Sequence, residues 1–153
     1  MNGVVVRILL TALLFHHFFL TAQSRAAIHW NFQIQKIDND EVNLLITAIL
    51  PEATHIYSIQ TEEGGPLPTT FTYQPGKSYK LIGSTKEVTA PEKMFDSTFL
   101  MNIAWFERKV TFSQRIKMSA PIVLVEGKID YMICSNGSCY PPTEKKFKEL
   151  VSR

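Results

Sequence analysis

The sequence predicts an all-β protein, an immunoglobulin-like β-sandwich, and three observations support this fold class. First, apolar and polar residues alternate from residue 28 onward, as in "IHWNFQIQ" at 28–35, and a period of two is typical of strands with one face in the core. Second, turn-forming stretches such as "GGPLP" at 64–68 divide the chain into short segments. Third, we find no strongly helical window. Many short strands separated by turns are typical of a sandwich or a barrel, and we favour the sandwich.

Each predicted strand follows from local alternation or from the breakers that bound it. The first two strands alternate and are joined by the turn "DND" at 38–40. Pro51 ends the second strand, and "PGKS" at 75–78 and "APEK" at 90–93 bound the fifth. In chain order we predict strands at 28–35, 42–48, 55–59, 70–73, 79–82, 99–106, 109–116, 122–125, 129–134 and 143–150.

Residues 1–26 have the layout of a secretory signal peptide. Arg7 gives a positive charge, "ILLTALLFHHFFLTA" at 8–22 is an uncharged run, and small residues follow at Ala22, Ser24 and Ala26. The run is shorter than the roughly 18 apolar residues of a membrane span, and an uncleaved membrane anchor is the alternative. Cleavage after Ala22, Ser24 or Ala26 is compatible with this layout. The predicted domain is 27–153, exported to a compartment where disulfides persist.

The charge distribution argues against a nucleic-acid partner. The formal net charge is +2, and the basic cluster comes late, at Lys145, Lys146 and Lys148. We interpret these lysines as the solvated face of the last strand. Membrane contact is expected only through a partner or through an uncleaved signal.

Both cysteines of the chain lie in "CSNGSCYPP", residues 134–142. Asn136-Gly137 is a strong signal for a hairpin with a type I′ turn, which sets Ser135 opposite Ser138 and Cys134 opposite Cys139. This cysteine pair is then of the non-hydrogen-bonded kind, with Cα atoms roughly 4.5 Å apart. That separation is at the short edge of disulfide geometry, so we expect a bond that forms with some strain.

Three interpretations of the cysteine pair remain open at this point. A structural disulfide that closes a six-residue loop lowers the entropy of the unfolded chain and stabilises the fold by only roughly 2 kcal/mol. This is a small contribution for a disulfide whose role is stability. A zinc site with His29 and His55 matches no common ligand spacing. A redox pair fits the following Tyr140-Pro141-Pro142, because prolines mark an edge strand and an edge leaves Cys139 open to a partner's thiol.

The segment "APEKMFDSTF" at 90–99 is predicted to be a loop before the sixth strand. It places Met94 and Phe95 in a polar, proline-led stretch. Two large apolar residues in a loop either pack at the edge of the core or cover a group that must be kept from solvent.

Four segments together resemble one family. "YMICSNGSCYPPTEKKF" is similar to the active-site segment of the amino-terminal periplasmic domain of DsbD, the thiol:disulfide interchange protein. "HIYSIQTEEGGPLPTTF", "APEKMFDSTF" and "FERKVTFSQRIK" fit that family in the same order, so the resemblance covers residues 28–150. It implies an immunoglobulin-like sandwich with a redox-active cysteine pair and no cofactor or metal.

The resemblance also implies roles for individual residues. Cys139 would form the mixed disulfide with partners and Cys134 would resolve it. Phe95, with Met94 as the other candidate, would belong to a cap that shields the pair, and Tyr57 matches the family's tyrosine beside the site. Tyr140 and Pro141 would contact the partner.

The implied partners are thioredoxin-like periplasmic proteins, including disulfide isomerases and cytochrome-maturation thioredoxins. Three departures matter. Well-known members have one more residue between the cysteines, and their cap carries adjacent acidic residues, whereas Glu92 is followed here by Lys93. The sequence ends at Arg153, so the electron donor is expected to be a separate membrane carrier. The alternative function is a non-catalytic β-sandwich binding or assembly module with a structural disulfide.

Overall fold

The computed structural model describes residues 27–97, 99–135 and 137–153, and these ranges contain twelve β-strands. The strands are β1 His29–Lys36, β2 Glu41–Ile49, β3 Thr54–Tyr57, β4 Thr70–Tyr73, β5 Tyr79–Glu87, β6 Glu92–Asp96, β7 Met101–Glu107, β8 Lys109–Met118, β9 Ile122–Tyr131, β10 Ile133–Ser135, β11 Ser138–Cys139 and β12 Thr143–Ser152.

One layer of the molecule is a four-stranded antiparallel sheet with the order β1-β2-β8-β5. Its two central strands, β2 and β8, alternate between buried and accessible residues, as the sequence predicts. On β2, for example, Val42, Leu44 and Ile46 are fully buried. This alternation puts one face of the sheet into the core and the other in solvent.

The opposite layer consists of two smaller sheets, with the orders β12-β9-β4 and β11-β10-β3-β7-β6. Only Met132 separates β9 from β10, so one stretch of chain runs through both. Phe112 of β8 joins the layers, because its ring lies 4.8 Å from Phe71 on β4 and 5.8 Å from Phe106 on β7. The predicted β-sandwich is therefore confirmed.

Several strand boundaries differ from the sequence prediction, including the end of β5, which is Glu87 and not residue 82. The predicted strands 122–125 and 129–134 are one ten-residue strand, β9, followed by β10. Gly127, in the interval that we predicted as a break, pairs with Tyr73 of β4. A Cβ at Gly127 would overlap the carbonyl oxygen of Thr72, so this glycine serves close strand approach and does not mark a turn.

The predicted loop at 90–99 contains a strand, which corrects that part of the prediction. Glu92–Asp96 forms β6 and pairs antiparallel with β7 at the edge of the five-stranded sheet. The prediction failed because the exposure of β6 barely alternates, so backbone pairing with β7, and not burial, makes it a strand.

The predicted signal peptide, 1–26, lies outside the described residues. Within the part of the chain that is described, no helix is long and apolar enough to cross a membrane.

Candidate functional site

The two cysteines form a disulfide across the β10–β11 hairpin, at one edge of the five-stranded sheet. Cys134 pairs with Cys139 and Ser135 with Ser138, as predicted. The Tyr140 N–H donates to the Ile133 carbonyl oxygen at 2.9 Å, so the cysteines occupy the next, non-hydrogen-bonded position of the ladder. Their Cα atoms are 4.0 Å apart.

The tip of this hairpin is described only in part. Gly137 has a φ of 75°, which is the left-handed region that glycine adopts without steric cost. Asn136 lies outside the described residues, so the predicted turn type remains a prediction, as does the strain expected in the disulfide.

The two sulfur-bearing residues differ sharply in burial. Cys134 is 1% exposed, whereas Cys139 is an exposed residue on the edge strand β11. Thiol–disulfide exchange requires an attacking thiolate to reach one particular sulfur. The fold presents Cys139 to an incoming thiol and keeps Cys134 behind it.

The sheet register identifies the side chains that share a face with the disulfide. Cys134 is opposite His55 of β3, and His55 is opposite Glu107 of β7. Directly opposed residues project from the same face of a sheet, and so do residues two apart on one strand. Tyr57 therefore lies on this face, and its hydroxyl oxygen is 3.8 Å from the Cys139 Sγ.

Burial changes the ionisation of the two β3 side chains next to the disulfide. It raises the pKa of Tyr57 above its usual value, and the negative charge of Asp96 raises it further. The phenol thus keeps its proton at neutral pH and can donate it toward sulfur. Burial lowers the pKa of His55, while the charge of Glu107 acts in the opposite direction, so burial favours neutral His55.

A small apolar cluster, separate from the main core, surrounds Cys134. Its buried members are Tyr57, Ile103 and Cys134, with the partly buried Phe99, Met101, Trp105 and Met132 packed against them. We did not predict Phe99, Met101, Trp105 or Met132 as site residues from the sequence. The signal was present, because 99, 101, 103 and 105 alternate as large apolar residues, but alternation does not tell which face of the sheet they cover.

The two candidate cap residues, Met94 and Phe95, lie on opposite faces of the β6–β7 hairpin. Met94 is opposite Ile103 of the cluster, which places it on the cysteine face, and it is 53% exposed. Phe95 is opposite Asn102, on the other face, and is 59% exposed. In this conformation the register thus brings Met94 onto the face of the cysteines and leaves Phe95 on the opposite face.

The end of that hairpin is held by a local contact. The Phe99 N–H donates to the Asp96 carboxylate at 3.2 Å. Leu100 has a φ of 56° and is 76% exposed, and such a backbone conformation is uncommon for a bulky residue. The turn thereby directs Phe99 into the cysteine cluster.

Tyr140 and Pro141 follow Cys139 directly and are exposed. Beyond Cys139 the chain leaves the sheet until β12 begins at Thr143, in agreement with the predicted edge. Of the two histidines weighed for a zinc site, His55 is beside Cys134 and His29 begins β1 in the opposite layer. Among the described residues, no group of three or more His, Cys, Asp or Glu could hold a metal ion.

Comparison with known families gives one match over most of the chain. The profile described as "Thiol:disulfide interchange protein DsbD, N-terminal" matches residues 23–150. A comparison with curated proteins gave no match.

Comparison with solved structures gives the same kind of domain. The DsbD N-terminal domain of Neisseria meningitidis in its reduced form has a TM-score of 0.54 and 14% identity, with 81% of this chain and 86% of that chain covered. The N-terminal periplasmic domain of ScsB from Proteus mirabilis has a TM-score of 0.59 and 15% identity, with 84% of this chain and 48% of that chain covered.

A third solved structure is a complex of the DsbD and PilB N-terminal domains from Neisseria meningitidis. It has a TM-score of 0.50 and 13% identity, covering 78% of this chain and 80% of that chain. At these identities the likeness shows the fold, which in DsbD N-terminal domains is immunoglobulin-like, so the predicted fold class is confirmed.

Proposed function

Because the chain belongs to the family of DsbD N-terminal domains, whose common activity is thiol–disulfide interchange, we propose that it relays reducing equivalents through Cys134 and Cys139. The observation that carries this proposal is the asymmetry of the pair. Cys139 is exposed on an edge strand, and Cys134 is buried behind it. A disulfide serving only stability has no need of such an arrangement, and one that closes six residues contributes only about 2 kcal/mol.

The proposed reaction has two exchange steps. In the reduced protein, the Cys139 thiolate attacks a disulfide of the partner, forming a mixed disulfide and releasing one partner sulfur as thiolate. The Cys134 thiolate then attacks the Cys139 sulfur, which re-forms the Cys134–Cys139 bond and releases the partner as a dithiol. Two electrons pass to the partner, and a donor dithiol restores the reduced pair by the reverse steps.

The surrounding residues have proposed supporting roles. Tyr57 donates its hydroxyl hydrogen toward the Cys139 thiolate, which a hydrogen bond stabilises. Met94 and Phe95 form the cap on β6, with Met94 favoured by the sheet register and Phe95 by the family resemblance. Tyr140 and Pro141 extend the exposed surface beside Cys139 and contact the partner.

The partners and the location are part of the same proposal. Thioredoxin-like proteins are the proposed acceptors, and the solved complex of a DsbD N-terminal domain with a PilB N-terminal domain supports partner domains of that kind. The proposed donor is a separate membrane electron carrier. Export to the periplasm through the signal at 1–26, which leaves the domain 27–153, completes the proposal.

The reduction potential of the cysteine pair tests this function. The mature protein is equilibrated against a dithiothreitol or glutathione series, and free thiols are trapped and counted. A potential of roughly −180 to −270 mV, as in known exchange proteins, supports the relay. A value below about −300 mV indicates an inert disulfide and favours the non-catalytic binding module instead.

A trapping experiment tests the assignment of the two cysteines. Cys134→Ser leaves Cys139 without its resolving thiol, so it should accumulate a mixed disulfide with a thioredoxin-like partner. Cys139→Ser is the matched control and should accumulate none. The opposite pattern would assign the attacking role to Cys134.

A further inference from the structure

Glu87 links the sheet opposite the disulfide to the strand that carries Tyr57. It is the last residue of β5, in the four-stranded sheet. Its Oε1 accepts a hydrogen bond from the Ser58 hydroxyl at 2.7 Å and another from the Ile59 N–H at 2.8 Å. A single carboxylate oxygen thus crosses between the two layers and holds the chain where β3 ends.

The residues that Glu87 holds come directly after Tyr57, whose own main chain is also fixed. The Tyr57 carbonyl oxygen accepts a 2.6 Å hydrogen bond from the Thr69 hydroxyl. The Ser58 N–H donates to the Ala104 carbonyl oxygen at 2.9 Å. Ser58 and Thr69 are each 1% exposed, and buried polar groups of this kind are costly to leave unpaired.

The position of Tyr57 matters because its contact with sulfur is long. The hydroxyl oxygen lies 3.8 Å from the Cys139 Sγ, and hydrogen bonds weaken steeply with distance and angle. A shift of β3 by a fraction of an ångström would remove the donor from the sulfur. The hydrogen bonds at Ser58 and Ile59 resist that shift.

We propose that Glu87 is a positioning residue for thiol–disulfide exchange, which acts from the opposite sheet by holding Tyr57 against the Cys139 sulfur. This inference rests on the proposed function for its relevance to exchange. It concerns a residue that touches neither cysteine and that lies outside the motif containing them.

The test measures how the reactivity of Cys139 depends on pH in the reduced protein. Alkylation by iodoacetamide is followed from pH 5 to 10, and the modified cysteine is identified by mass spectrometry. Glu87→Ala is expected to raise the midpoint for Cys139 by about 1 unit, which reduces the thiolate fraction about tenfold below that midpoint. Since a more basic thiolate is more nucleophilic, the rate at pH 7 should fall only about threefold.

Two further variants separate positioning from general damage. Glu87→Gln retains an oxygen acceptor and should keep the wild-type profile. Tyr57→Phe should reproduce the shift of Glu87→Ala, and the double variant should shift no further than either single one, because effects through one contact are not additive.

Glu41→Ala is the matched control. Glu41 is a partly buried carboxylate on β2 of the same four-stranded sheet, and it accepts a hydrogen bond from the Arg115 Nε at 2.7 Å. Its loss should change stability without moving the Cys139 profile. An unchanged profile in Glu87→Ala, or additive shifts in the double variant, would overturn the proposal.

If Glu87→Ala does not fold, Ser58→Ala removes one of the two bonds to Glu87 and should shift the profile in the same direction by less. No shift in that variant would then overturn the proposal. The readout does not depend on any partner. If the proposed relay is wrong, the disulfide will prove too stable to exchange with partners. The pH profile of Cys139 alkylation would still depend on Glu87.

Discussion

At the scale of single residues, the reactivity of Cys139 depends on a small number of neighbouring groups. The Tyr57 hydroxyl oxygen lies 3.8 Å from the Cys139 sulfur. Burial raises the pKa of Tyr57 and the negative charge of Asp96 raises it further, so the phenol is a neutral donor. A hydrogen bond from that donor favours the thiolate form of Cys139.

We predict that Tyr57→Phe makes Cys139 less reactive without disturbing the fold. Loss of one hydrogen bond to the thiolate should raise the pKa of the Cys139 thiol by about 1 unit. The pH profile of alkylation in the reduced protein measures this shift. Tyr73→Phe, which removes a hydroxyl bonded to Thr85 at 3.1 Å, is the control and should leave the profile unchanged.

His55 should make the stability of the protein depend on pH. Because burial lowers its pKa below 6.5 in the folded state, the unfolded chain binds more protons between the two pKa values. The contribution of neutral His55 to the free energy of unfolding should therefore be complete above about pH 6.5. It should be lost as the pH drops through the pKa of His55 in the folded protein.

Urea unfolding at pH 7.5 and 5.5 measures this effect. His55→Gln should show a smaller loss of stability between the two pH values than the wild-type protein. His29→Gln, at an exposed position on β1, should behave like the wild type. An equal loss in the wild type and in His55→Gln would contradict the prediction.

At the scale of elements, the β6–β7 hairpin forms the edge of the five-stranded sheet opposite the cysteine hairpin, and it contributes side chains to the face that carries the cysteines. Its strand β7 contributes Ile103 to the cysteine cluster, and its turn contributes Phe99. The hairpin is held to the sheet through pairing of β7 with β3. Among the described strands, its outer strand β6 pairs only with β7 and forms the edge of the sheet.

Truncation of the hairpin side chains distinguishes the two cap candidates. From the register, we expect Met94→Ala to speed alkylation of the reduced cysteine pair more than Phe95→Ala does, because only Met94 is on the cysteine face. The measurement is the rate with a small alkylating reagent at fixed pH. A faster rate in Phe95→Ala alone would show that Phe95 shields the pair in solution, as the family resemblance implies.

At the scale of the whole molecule, the main core and the disulfide are separate. The main core lies between the two layers and includes Phe112, Leu44, Ile46 and Ile129, whereas Cys134 belongs to the smaller cluster. The disulfide joins residues only five positions apart, so it closes a short loop and constrains the unfolded chain little.

We predict that reduction of the disulfide costs only about 2 kcal/mol of unfolding free energy. Urea unfolding with and without a reductant measures the difference. The Cys134→Ala/Cys139→Ala variant should show no dependence on reductant. Unfolding on reduction alone would mean that the disulfide is structural, as in the alternative function.

The local parts of the site could be predicted from the sequence. The pairing of Cys134 with Cys139 follows from the hairpin signal and a period of two, and both are properties of nine consecutive residues. The position of Tyr57 beside the pair came from the family resemblance. Phe99 and Trp105 were missed, because they reach the cysteines only through the pairing of β3 with β7, whose residues are about fifty positions apart in the chain.

The sequence by itself determined the strand alternation, the all-β class and the hairpin that joins the two sulfurs, since each depends on residues close together in the chain. The tertiary structure alone decided that Cys134 is buried behind Cys139, and that Met94 and Phe95 face opposite sides. It also brought Glu87 across the sandwich to the end of β3. These features depend on the order of strands in a sheet and on the packing of the two layers, and a local pattern does not encode either.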